Sequence, residues 1–118
     1  MLTRDDDGTI RAVANLCTHT LRPLVDGPDF VDRSCITCPY HQWSFRRDGS
    51  LIGGRDISFG SGDEAEATKQ RLSLPSFEVL NWNGFLFAVD PARRDEFAAD
   101  LDRVSADFAE REIGRAHV

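Results

Sequence analysis

Cys17-Thr18-His19 and Cys38-Pro39-Tyr40-His41 are the two stretches that decide how this chain is read. Each offers one thiolate and one imidazole, at C-x-H and C-x-x-H spacing, with eighteen residues between His19 and Cys38. Two Cys and two His in two short loops are the unequal set that a [2Fe–2S] cluster takes when imidazoles replace two thiolates on one iron. Neutral imidazoles remove negative charge, so such a cluster accepts an electron more readily than an all-thiolate one. Cys2His2 also suits tetrahedral zinc, whose usual spacing is a close Cys pair followed by a close His pair. The alternation seen here does not match that order, which leaves a zinc-stabilised module a distant alternative.

Outward from these loops, turn signals cut the chain into short strands. Asp5-Asp6-Asp7-Gly8, Arg47-Asp48-Gly49 and Trp82-Asn83-Gly84 end in Asp-Gly or Asn-Gly, the strongest short-range hairpin signal. The flanking runs Ile10–Asn15, Trp43–Arg46, Phe77–Trp82 and Phe85–Val89 are β-branched or aromatic enough to pair. Both ligand segments then fall at the tips of connections between strands, as a surface cluster requires. The polar stretch from Arg55 to Gln70, with Gly60-Ser61-Gly62 inside it, reads as a long loop with short irregular strands. Past Asp90-Pro91, Phe97, Leu101, Val104 and Phe108 recur at i, i+4, i+7 and i+11, which predicts an amphipathic helix. Asp90 suits its N-cap and Pro91 its first position.

The longer segments Cys17-Thr18-His19 and Cys38-Pro39-Tyr40-His41-Gln42-Trp43-Ser44-Phe45 resemble the Rieske signature of aromatic-ring-hydroxylating oxygenase α subunits, roughly C-x-H-R-G…C-P-Y-H-G-W-x-[YF]. The similarity runs on through Asp48-Gly49-Ser50-Leu51-Ile52-Gly53 and Trp82-Asn83-Gly84-Phe85-Leu86-Phe87, and covers about residues 9–91. It implies an all-β fold: a Rieske-type antiparallel β-sandwich with a cluster-binding subdomain and a C-terminal helix. It implies that Cys17 and Cys38 bind one iron of a [2Fe–2S] cluster, and His19 and His41 the other. Thr20 and Leu21 stand where the family has Arg-Gly, and Gln42 where Gly is common, so the departures lie in the turns beside the ligands. In cytochrome-complex Rieske proteins each loop carries an extra Cys, and the two form a disulfide. The equivalent positions here are Arg22 and Tyr40, and Trp43 replaces a Ser that donates a hydroxyl to the cluster. Hydrogen bonds to cluster sulfur raise the potential, so their loss points to the low-potential, soluble class.

The resemblance also implies a role: relaying electrons from a ferredoxin or flavin reductase to a mononuclear non-haem iron, in the neighbouring subunit of a ring-shaped homo-oligomer. That Fe(II) sits in a catalytic domain, on a facial triad of two His and one carboxylate. This sequence has three His, two of them assigned to the cluster and the third, His117, next to the last residue. No pair remains, so no catalytic residue is assigned and the chain is expected to be an oxidoreductase component without its own oxygenase site. Residues 1–91 are expected to be the Rieske domain, with N-terminal strands missing, and 92–118 a connector towards an absent catalytic domain. A fragment is therefore the expectation, with a free-standing Rieske ferredoxin as the alternative.

Composition agrees with a single soluble domain. The 118 residues are 41% hydrophobic and 29% charged, ordinary values for a globular chain. A net charge of −6 argues against nucleic acid and leaves a basic redox partner possible. There is no apolar run of membrane-spanning length and no signal-peptide pattern. Three Cys do not suggest a secreted disulfide framework, and a reducing cytoplasm fits best. Cys35, in Cys35-x-x-Cys38, reads as a structural free thiol on a strand entering the second loop. Tyr40 and Trp43 read as packing aromatics or as shields that keep water from the cluster, and Arg46 and Arg47 as a solvated face.

Overall fold

The computed structural model describes residues 1–27, 33–55 and 57–110, and the chain divides into two compact units, Met1–Ser76 and Phe77–Val118. Mostly antiparallel sheet with a C-terminal helix is the architecture, as the turn and strand pattern predicts.

In the first unit, β1 (Leu2–Arg4) pairs antiparallel with β2 (Ile10–Val13) in the register Leu2 to Ala12 and Arg4 to Ile10. A second antiparallel set joins β3 (Cys35–Thr37), β4 (Ser44–Arg46) and β5 (Leu51–Gly53), with Ile36 opposite Phe45 and Phe45 opposite Leu51. The β4–β5 register shifts between Ser44 and Phe45, directly after the second ligand loop. The core gathers Val13, Leu24, Phe45, Leu51 and Leu74 around Cys17, Cys38 and Trp43, so the thiols lie within the hydrophobic cluster that stabilises the unit. Phe45 is 0% exposed.

The stretch expected to be a loop instead contains α1 (Gly62–Arg71). Its only buried residue is Ala65, so it lacks the apolar stripe by which helices are usually recognised. Its ends carry the signal. Asp63 and Glu64 lie in the first turn and Lys69 and Arg71 in the last, each complementing the helix dipole. Ser61 and Glu64 have capping-box spacing, although the Ser61 side chain makes no cap bond. Arg47 also departs from a solvated face. Its guanidinium donates to the carbonyls of Arg33 (3.0 Å) and Arg4 (3.3 Å) and to Asp6 (2.7 Å), clipping the β1–β2 turn to the residues before β3.

The second unit holds β6 (Ser76–Trp82, its first residue lying in the first unit), β7 (Phe85–Val89) and α2 (Arg94–Glu110). Trp82 pairs with Phe85 across Asn83-Gly84, whose φ values of 50° and 91° make the type I′ turn that matches strand twist. Asp90 caps as expected, accepting from the Ala92 N–H at 2.9 Å, but the first turn is a short 3-10 segment, Pro91–Arg93. Phe97 packs on Phe87 with ring centroids 5.3 Å apart, and the Trp82 indole donates to Ser105 Oγ at 2.7 Å. Among the described residues, no helix is long and apolar enough to cross a membrane.

Candidate cluster-binding site

The two candidate ligand loops follow one backbone scheme. The Cys17 N–H donates to the Arg22 carbonyl and the Cys38 N–H to the Trp43 carbonyl, both at 2.8 Å. Each Cys carbonyl in turn accepts from the N–H four residues on, Leu21 at 2.7 Å and Gln42 at 3.0 Å. Those residues are left-handed in both loops, with φ 56° at Leu21 and 58° at Gln42. Glycine takes that conformation freely, which accounts for the Gly of the Rieske signature at both places. A side chain there costs about 1–2 kcal/mol, so this chain keeps the path and bears the strain.

Each loop has a polar clasp at its base, and neither is visible as a motif. Asn15 Oδ1 accepts from the N–H groups of Leu24 and Val25, both at 3.0 Å, while its Nδ2 donates to the Val25 carbonyl at 2.8 Å. The second loop closes through Thr37 and Ser44, cross-strand partners whose hydroxyls lie 2.9 Å apart. Thr18 Oγ1 donates to the Leu72 carbonyl at 2.5 Å, tying the first loop to the residue that follows α1. An Asn at a strand end was the one available hint, since Asn readily bonds nearby backbone.

Of the four expected ligands, His19 and His41 are brought ring to ring, and Cys17 and Cys38 share the buried core cluster. Cys17 and Cys38 are each 1% exposed and both are free thiols, held in the core. His19 and His41 are exposed, with ring centroids 4.6 Å apart. Trp43, 5% exposed, stacks on His19 at 4.7 Å with an interplanar angle of 7°. It is thus a packing aromatic and a cover for His19 at once. Tyr40 is exposed rather than packed, standing edge-on to His41 at 4.3 Å with the Arg22 guanidinium 4.8 Å over its ring. Cys35 is a half-buried free thiol on β3, with Sγ 4.0 Å from Thr37 Oγ1. His117 lies outside the described residues.

The donor set fits a two-iron cluster. The Cys-x-His and Cys-x-x-His order differs from the close Cys pair and close His pair usual for tetrahedral zinc. A Rieske cluster divides its ligands between two irons. Among the described residues, two buried side-chain polar atoms lack a hydrogen-bond partner, Thr20 Oγ1 and Trp43 Nε1, and both belong to the candidate ligand loops. Buried donors are ordinarily paired, and cluster sulfur is an acceptor.

Comparison with known proteins agrees. The Rieske [2Fe–2S] domain profile matches residues 1–59. The carnitine monooxygenase oxygenase subunit of Acinetobacter baumannii is 34% identical over 112 residues, covering 94% of this chain and 28% of that protein. The 2-halobenzoate 1,2-dioxygenase large subunit of Burkholderia cepacia is 32% identical over 90 residues, covering 74% of this chain and 19% of its own length. A solved quaternary ammonium Rieske monooxygenase, studied for carnitine oxidation and inter-subunit electron transfer, superposes with a TM-score of 0.64 at 29% identity, covering 89% of this chain and 28% of that one. This chain therefore spans less than a third of the oxygenase subunits it is similar to. Paired loops on one backbone scheme, buried thiols, exposed imidazoles and the profile match agree: the chain belongs to the Rieske [2Fe–2S] domain family.

Proposed function

We propose that this chain is the electron-relay part of a Rieske oxygenase α subunit. Residues 1–91 form the Rieske domain, and 92–118 a connector towards a catalytic domain outside this sequence. Cys17 and Cys38 hold one iron and His19 and His41 the other. When bound, the cluster supplies one-electron chemistry. The observation that carries the reading is the split between 1%-exposed thiols and exposed imidazoles. Cys17 and Cys38 keep the thiolates out of water, and His19 and His41 face a redox partner. Electron transfer falls steeply with distance, so the exposed pair marks where a partner docks.

The donor is a ferredoxin or flavin reductase, and the acceptor a mononuclear iron in the neighbouring subunit of a homo-oligomer. Inter-subunit electron transfer in the quaternary ammonium monooxygenase supports that arrangement. Oxygenase subunits among the relatives favour this reading over a free-standing ferredoxin. Three free thiols fit a cytoplasmic protein. With three His in all, the chain has no pair left for a catalytic iron and is oxygenase-dead alone.

Purified with iron and sulfide, the protein is expected to be red-brown. Cys17→Ser or His41→Ala abolishes the colour, and Cys35→Ser leaves it. Equal loss in Cys35→Ser overturns the ligand set, and colourless protein with stoichiometric zinc overturns the cluster. With NADH and a ferredoxin–reductase pair the holoprotein takes one electron per cluster and hydroxylates nothing. Product dependent on added Fe(II) would contradict the histidine count.

A further inference from the structure

Gly54, directly after β5, touches the site through Trp43. A Cβ at this position would lie 2.5 Å from Trp43 Cδ1, 2.7 Å from Nε1 and 3.1 Å from Cγ. No real Cβ stands that close, so the indole occupies the space a side chain would take. The same ring meets two other aromatic rings, the face of His19, 4.7 Å away at 7°, and the edge of Phe59, 5.8 Å away at 80°. Among the described residues nothing bonds the buried Nε1. Among the protein contacts described, the ring is therefore located by shape, between Gly54 and the His19 imidazole.

We propose that Gly54 is a positioning residue for the cluster: its missing side chain seats the Trp43 indole, and the seated indole fixes the ring plane of His19. The inference rests on His19 being a cluster ligand. An exposed imidazole is otherwise free to turn about its side-chain bonds, and neighbours that orient a ligand's ring tune the metal it binds. Gly53 provides the control. A Cβ there meets nothing within 4 Å.

The test compares holoprotein variants by iron and sulfide content, by the EPR g-values of the reduced cluster and by midpoint potential. Gly54→Ala is expected to load cluster, yet to displace the g-values and shift the potential; Gly53→Ala matches the wild type in all three. Trp43→Phe shifts the same signals. Gly54→Ala added to Trp43→Phe gives a combined shift well short of the sum of the two, because both act through one ring. Wild-type signals in Gly54→Ala, equal shifts in Gly53→Ala and Gly54→Ala, or additive shifts in the double variant overturn the proposal. Should Gly54→Ala fail to fold, Trp43→Phe decides, and unchanged g-values there overturn it too. A wild-type protein with no [2Fe–2S] signal defeats the cluster assignment and this inference together, whereas a loaded wild type with a silent Gly54→Ala defeats only the inference.

Discussion

Replacing Gln42 by glycine is expected to stabilise the protein, although it deletes a whole side chain next to a ligand. Gln42 holds φ 58°, and its backbone N–H closes the second loop on the Cys38 carbonyl at 3.0 Å. The left-handed conformation costs a non-glycine residue about 1–2 kcal/mol. Glycine removes that strain but gains freedom in the unfolded chain, which takes back about 0.4–1 kcal/mol. Because the Gln42 side chain is exposed, little burial is lost, and the balance is a gain of about 0.5–1 kcal/mol. For a domain of this size that raises the melting midpoint by about 2–5 °C. Gln42→Val is expected to move the midpoint down, since a β-branched side chain tolerates φ > 0 least. Leu21→Gly separates strain from packing. Leu21 has nearly the same φ, 56°, but is 71% exposed and loses some apolar contact, roughly 0.5–0.9 kcal/mol, so the gain cancels. The assay is far-UV circular dichroism of anaerobic holoprotein at one scan rate, because loss of the cluster makes unfolding rate-dependent. A lower midpoint in Gln42→Gly, or an unchanged one in Gln42→Val, would refute the argument.

Three further outcomes are expected. The reduction potential lies near the low end of the Rieske range, about −150 mV, and Thr20→Val lowers it further by removing the buried hydroxyl that has no partner among the described residues; equal potentials in voltammetry would mean that this hydroxyl is not bonded to the cluster. Ser50 donates to Asp48 through its hydroxyl (2.6 Å) and its N–H (2.8 Å), and these bonds hold the Asp48 carboxyl below its ordinary 3.8. A lowered folded pKa contributes stability that is present above about pH 3.8 and lost as pH falls through the folded value, so Asp48→Asn should show a shallower acid limb in pH-dependent unfolding, and parallel limbs would remove Asp48 as a cause. Asp90→Ala deletes the acceptor for the Ala92 N–H and is expected to destabilise the protein by about 1 kcal/mol; no change in melting midpoint would show that the 3-10 turn needs no cap.

The ligand loops, the hairpins and α2 were legible in the sequence because their causes are local. Cys and His spacing is chemistry read directly from residue types, Asn83-Gly84 dictates its own φ values, and Phe97 to Phe108 keep helical period whatever they pack on. Helix α1 escaped because one buried alanine leaves no periodic stripe, and only its end charges and the Ser61–Glu64 spacing mark it. Four features needed the tertiary fold: the Asn15 clasp, the Arg47 clip, the left-handed Leu21 and Gln42, and the Gly54 seat beneath Trp43. Gly54 is eleven residues from the ring it seats and Arg47 fourteen from the carbonyl it binds, and nothing in either neighbourhood names the partner. Residue types by themselves pointed to the Cys and His atoms proposed to hold a cluster. Long-range packing decided how the thiols are buried, which face of His19 is covered, and where backbone strain is borne, because those depend on atoms that only folding brings within a few ångströms.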